Sequence, residues 1–297
     1  MRMNRMLALL AACCVTCLLA AQDHLPDLPS NDALTGKSKP LQEAKALPDT
    51  IVAHLSLPAA FQGMGRNELT DSLHLLAPVF ERLRLVRTGV SEDTVRIVHI
   101  GDSHIRGHIY PQTAGNRLAA SFGAVSYTDM GVNGATCLTF THAERIADIA
   151  ALKPELLILS FGTNESHNRR YDANAHYQQM DELVKLLRSS LPDVPMIVTT
   201  PPGSYESFRE RRRQRTYAIN PRTAKAVKTI HDYARTHQLV VWDLYNVAGG
   251  SQRACKNWLA ARLMRPDHVH YLPEGYILQG ELLYEAIIKA YNDYVSH

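Results

Sequence analysis

From residue 94 onward, short β-branched apolar runs alternate with longer stretches of helical periodicity, and this alternation most narrows the folds open to the chain. Residues 94–100, 125–130, 156–160, 196–200 and 239–243 read as strands. Between and after them, residues 112–122, 143–152, 173–191, 221–237 and 274–295 place apolar side chains at helical spacing. A strand that returns parallel to its predecessor needs a right-handed crossover about a helix long. Five strands separated by helices therefore predict an α/β protein, a three-layer α/β/α sandwich with a five-stranded parallel sheet, over about 200 residues. Ahead of it, Leu69, Leu73, Leu76, Phe80, Leu83 and Val86 predict an amphipathic helix over 68–86.

The N-terminus has a different character. Arg2 and Arg5 precede an apolar run from 6 to 21 that is short for a bilayer span and ends at Gln22, the pattern of a secretory signal cut after Ala21. The segment Leu10-Ala11-Ala12-Cys13 also resembles a bacterial lipobox, which offers a lipidated Cys13 as the alternative N-terminus. Either way the expectation is export to the periplasm or exterior, with no transmembrane helix in the mature form. Residues 22–50 are rich in Pro, Asp, Ser and Lys without a sustained period and read as a linker. Removing 1–21 takes the formal charge from +3 to about +1, since Arg2 and Arg5 leave with it. That balance argues against a nucleic-acid partner. With 45% hydrophobic residues the chain can build a large core, which excludes intrinsic disorder and collagen. After signal cleavage only Cys137 and Cys255 remain, either paired in an oxidising compartment or as two partly buried thiols.

Chemistry in a parallel sheet gathers in loops beyond the carboxyl ends of strands. The first such loop reads Gly101-Asp102-Ser103-His104, with a hydroxyl just past a strand and a glycine permitting a tight turn. The loop entering the last helix holds Asp267 three residues before His270. A serine alcohol is a poor nucleophile until an imidazole takes its proton, and a carboxylate fixes that imidazole's tautomer and stabilises its cation. Two further loops, Gly131-Val132-Asn133-Gly134 and Gly162-Thr163-Asn164-Glu165, offer a backbone N–H and a side-chain amide of the kind an acyl-transfer enzyme aims at an oxyanion. Each segment alone is an ordinary turn; four in order are not.

These segments resemble the blocks of the SGNH/GDSL hydrolase superfamily: Gly101-Asp102-Ser103, then Gly134, then Gly162-x-Asn164, then Asp267-x-x-His270. The resemblance implies a flavodoxin-like sandwich in which residues 93–297 form the hydrolase domain and 22–92 a linker with a helical extension. It implies Ser103 as nucleophile, His270 as general base and then acid, and Asp267 as its orienting carboxylate. The oxyanion hole is expected from the Ser103 N–H, the Gly134 N–H and the Asn164 amide, with no cofactor and no metal. His104 stands where the common form has Leu. The Gly-Asp-Ser-His and Gly-Thr-Asn-Glu blocks are similar to those of exported peptidoglycan O-acetylesterases and related carbohydrate esterases, which makes an acetylated glycan the expected substrate. A lipase or thioesterase, or a non-catalytic glycan-binding module, are the alternatives. A neutral imidazole base predicts activity falling below about pH 6.5.

Other features carry weaker expectations. The pairs His104/His108 and His268/His270 have spacings a metal site can use, against the commoner fate of surface histidines. The five arginines between 209 and 215, with Arg222 behind them, read as a solvated turn or as a grip on anionic substrate. Tyr110, Tyr127, Tyr205 and Tyr271 read chiefly as packing residues, with stacking on sugar rings as the alternative, and Glu165 as making a structural hydrogen bond, with orienting Asn164 or contacting substrate as the alternatives.

Overall fold

Successive residues of the central strands point to opposite sides of the sheet, and in this protein both sides are apolar and covered. In β2 (Val95–Gly101), Val95 and Ile97 enter one core while Val98 and Ile100 enter the other. The same alternation runs through β4 (Leu156–Ser160), β5 (Met196–Thr199) and β8 (Val240–Trp242). Against the first face pack α1 (Ala77–Arg87), α3 (Ile109–Phe122) and α10 (Pro273–Val295). Against the second pack α4 (Ala143–Ala151), α6 (Ala173–Ser190) and most of the buried side of α7 (Pro221–His237). The computed structural model describes residues 49–209 and 215–297; the expected signal at 1–21, Cys13, the linker as far as 48, and the centre of the arginine run at 210–214 lie outside the described residues.

The five expected strands are present, with β3 (Val125–Gly131) as the second, and they run parallel in the order β3-β2-β4-β5-β8. The chain leaves β2 toward one edge for β3 and then returns past it for β4. The connections therefore diverge between β2 and β4, which is where such sheets open a crevice at their carboxyl ends.

Three expectations need correction. The sheet has six strands, because β1 (Leu69–Thr70) pairs antiparallel with the edge of β8, Leu69 opposite Trp242. The helix expected over 68–86 is correspondingly shorter. Pro78 fits only the first turn of α1, and the Asp71 carboxylate accepts the N–H groups of Leu75 and Leu76, fixing a turn ahead of it. The segment 201–220, expected as a loop between the strand at 196–200 and the helix at 221–237, contains a hairpin of β6 (Tyr205–Arg209) and β7 (Arg215–Ile219). The two remaining thiols are free and buried, Cys137 in one core and Cys255 in the other, so the disulfide alternative is ruled out for this structure. Among the described residues no helix is long and apolar enough to cross a membrane.

A short helix, α2 (Ser103–Arg106), lies directly on the ends of β2 and β3. That approach needs glycine. A Cβ at Gly131 would sit 2.0 Å from the Arg106 nitrogen, and one at Gly101 would sit 2.6 Å from the Ser160 carbonyl oxygen. Gly131→Ala is expected to cost at least about 2 kcal/mol in urea-induced unfolding, since backbone must move to admit the methyl group. A cost near zero would show that α2 is not pinned to the strand ends.

Candidate active site

Ser103 begins α2 at the carboxyl end of β2, and Asp102 caps that helix by accepting the His104 N–H at 2.9 Å. The cap aims Ser103 Oγ toward the loop before α10, where His270 Nε2 lies 2.9 Å away. The other ring nitrogen, Nδ1, is 2.9 Å from Asp267 Oδ2. Asp267 is itself held, because its second oxygen accepts the N–H groups of Val269 and His270 at 2.9 Å each. Partial burial pulls the Asp267 pKa upward, but these N–H groups and the imidazole outweigh it and hold the carboxyl below its ordinary value. The structure thus brings the three sequence-expected residues into one hydrogen-bonded chain.

The three expected oxyanion donors face the same cleft. Ser103, Gly134, Asn164 and His270, with Arg106 and Arg265, line an open cavity of about 580 Å³. Gly134 has φ +73, and a Cβ there would meet nothing within 4 Å, so its backbone lies bare to solvent. No acceptor for the Ser103 or Gly134 N–H is found among the described residues. Asn164 is partly committed: its amide nitrogen donates to the Ala135 carbonyl at 2.8 Å and makes only a long 3.4 Å contact with Asp102 Oδ2. The first bond fixes the amide plane; the second is weak enough to yield to a substrate oxygen.

Glu165 does more than the single structural bond expected of it. Its two carboxylate oxygens accept the Cys137 N–H and the Gly162 N–H, each at 2.9 Å. One side chain therefore ties the loop carrying Gly134 to the corner carrying Asn164. Cys137, Glu165 and His176 also bring three potential metal ligands within 4.8 Å of one another, away from the cleft. This is a set the sequence reading missed, because its members come from three separate elements. Glu165 is already occupied by backbone donors, so we assign the cluster no catalytic role.

The histidine pairs weighed as metal ligands are dispersed into other contacts. His104 Nδ1 meets the Tyr276 hydroxyl at 3.1 Å, His108 pairs with Asp129, and His268 stacks on Tyr217 with ring centroids 4.1 Å apart. His104, which stands where the common form has Leu, packs against His270 at 5.5 Å between ring centroids. Burial drives its pKa down to about 3, so it is a neutral ring behind the candidate base. Tyr127 and Tyr271 spend their hydroxyls on His99 and the Gly203 carbonyl, as packing residues with a polar tip.

Asp102 is the second buried acid of the site. Burial pushes its pKa up to about 7, against the pull of the His104 N–H, and the nearby Glu165 charge adds to the rise. A raised pKa means the folded state holds this proton after the unfolded chain has released it. Stability from this group is full below about pH 4 and declines until the folded carboxyl also ionises near pH 7. Compared with Asp102→Asn, the wild type should lose more than about 1 kcal/mol across that window and then level off. Parallel pH profiles for the two proteins in urea unfolding would refute this assignment. Glu165→Gln leaves only one oxygen for two N–H donors and should cost roughly 1–3 kcal/mol of stability. It should also lower kcat on a small acetyl ester, and an unchanged kcat would show that the two loops hold their geometry without the carboxylate.

Residues 99–278 match the model of the GDSL-like lipase/acylhydrolase family. Among solved structures, the chain is similar to a peptidoglycan O-acetylesterase at 19% identity and a TM-score of 0.68, over 76% of this chain and 99% of that one. It is also similar to a GDSL-like lipase from Bacteroides thetaiotaomicron, at 19% identity and a TM-score of 0.48 over 72% and 99% of the two chains. A carbohydrate acetylesterase from Sinorhizobium meliloti is similar at 13% identity and a TM-score of 0.48, over 65% and 98%. No curated protein matches the sequence. The family model spans more than half of the chain, including the Ser103 and His270 loops, and the protein belongs to the GDSL-like lipase/acylhydrolase family of the SGNH/GDSL superfamily.

Proposed function

We propose that this acylhydrolase is an exported serine esterase that removes O-acetyl groups from a carbohydrate polymer, peptidoglycan being the first candidate. The observation that carries the reading is the chain from Ser103 Oγ through the His270 ring to Asp267, opening on a cleft that also presents Gly134 and Asn164. Export rests on the signal-like residues 1–21 and the substrate class on the block resemblance. The shared fold with a peptidoglycan O-acetylesterase says which polymer to try first.

In this mechanism Ser103 Oγ attacks the ester carbonyl as His270 Nε2 takes its proton. Asp267, held below its ordinary pKa, stays ionised and stabilises the imidazolium. The Ser103 and Gly134 N–H groups and the Asn164 amide receive the negative charge that develops on the carbonyl oxygen. His270 then returns the proton to the departing sugar hydroxyl. Water, deprotonated by the same ring, releases acetate from Ser103 in the second half. The neutral His104 leaves the neighbouring imidazolium without a second positive ring to repel it.

Ser103→Ala should lower kcat for 4-nitrophenyl acetate by at least about a thousandfold, and Asn164→Ala by on the order of 10²–10³. Acetate release from O-acetylated peptidoglycan should exceed cleavage of a long-chain ester. Retained turnover in Ser103→Ala would end the serine mechanism. A preference for the long chain would instead identify a lipase or thioesterase working through the same residues.

A further inference from the structure

The charges around the cleft are one-sided. Two guanidinium groups, Arg106 and Arg265, line it, and no carboxylate does. Arg106 closes the short helix that Ser103 begins, and Arg265 sits on the loop of Asp267 and His270, its N–H bonded to the His270 carbonyl at 2.8 Å. Each arginine is therefore carried by the same backbone segment as a member of the reacting chain. Among the described residues neither has a carboxylate partner. Exposed arginines are ordinary, and exposure alone argues nothing.

Arg106 differs in being held. Its Nη1 lies 2.7 Å from His108 Nε2, and His108 Nδ1 bonds Asp129. A guanidinium can only donate, so Nε2 accepts, and the ring N–H sits on Nδ1 facing the carboxylate. Asp129, whose side chain is only 9% exposed, thus fixes the ring that fixes the arginine. The strut also has a conformational cost, because His108 takes φ +66, a left-handed backbone that a residue with a Cβ disfavours. An arginine that served only solubility would need neither a buried carboxylate behind its support nor a strained residue to carry it.

We propose that Arg106, oriented by His108 and Asp129, and Arg265 form an anion subsite beside Ser103 that selects acetyl esters carried on carboxylate-bearing glycans over those on neutral ones. The proposal rests on the esterase reading above and adds the charge of the substrate to it. The planar guanidinium takes a carboxylate through two parallel hydrogen bonds, which sets the position of the neighbouring ester as well as adding affinity. A uronic-acid backbone and the carboxylates of peptidoglycan both supply this chemistry.

The test compares kcat/KM for acetate release from acetylated polygalacturonate, from O-acetylated peptidoglycan and from acetylated xylan freed of its acidic side groups. The wild type should favour at least one carboxylate-bearing polymer over neutral xylan, and which one it favours identifies the source of the carboxylate. Arg106→Gln and Arg265→Gln should each lower that selectivity ratio by about threefold to tenfold, the double variant by more, and added salt should lower it in the wild type. His108→Asn, which removes the imidazole strut and leaves the Arg106 charge in place, should lower the ratio. Melting temperatures establish that each variant is folded, and the positions of Arg106 and Arg265 on the surface keep two independent variants available. A wild type with no preference for either anionic polymer, or a ratio that survives in the double variant, overturns the subsite. Failure of the esterase reading shows separately, as acetate release that persists in Ser103→Ala on all three polymers.

Discussion

The hydrogen bond between Ser103 and His270 joins positions 167 residues apart, and nearly every other feature of the fold is a condition for it. Ser103 is placed by the end of β2, whose hydrogen bonds to β3 and β4 fix where that strand stops. His270 is placed by the start of α10, which packs along α3 on the face where α1 also lies. The two ends meet because the connections diverge between β2 and β4, leaving a gap that no crossover fills. A parallel sheet of this order has one such gap, and the chain has put Ser103 just past one strand beside it and Asn164 just past the other.

Within that gap, charge is managed by burial as much as by pairing. His99 spans β2 to β4, with Nε2 2.6 Å from the Ser160 hydroxyl and Nδ1 on Tyr127, and burial lowers its pKa to about 3. His104 is held neutral in the same way, while Asp102 is raised until its proton persists to near neutral pH. Glu165 satisfies both oxygens with backbone N–H groups instead of a cation. The charges that remain near Ser103 are then Glu165 on its two N–H donors, Asp267 beside His270, and the arginines at the surface.

The sequence carried the parallel sheet plainly because β-branched runs and helical periods are local signals, and residues such as Ile97 and Val98 obey them without interference. It carried Ser103, Gly134, Asn164, Asp267 and His270 because block spacing survives where overall identity is low. It did not carry β1, since two residues, Leu69 and Thr70, are too short a run to show a period and are strands only because β8 offers them an edge. The hairpin of β6 and β7 was obscured by arginines whose charge overrides any visible alternation. Glu165 gave a motif position but not its two partners, because an acceptor of two N–H groups from separate loops, at Cys137 and Gly162, is a property of the folded chain alone.

The hairpin also touches the loop that carries Asp267 and His270. The Tyr205 N–H donates to the His268 carbonyl at 2.9 Å, and Tyr217 stacks on the His268 ring, so both hairpin strands contact the residue between Asp267 and His270. His268 holds φ +59, a strained value for a residue with a side chain, and these two contacts add to the bond its own N–H makes to the Arg265 carbonyl. The turn that lets Asp267 reach back to His270 is therefore braced both from within and by the hairpin. The outer brace comes from an insertion between β5 and α7 that the parallel sheet does not itself require, so part of what positions Asp267 lies outside the core.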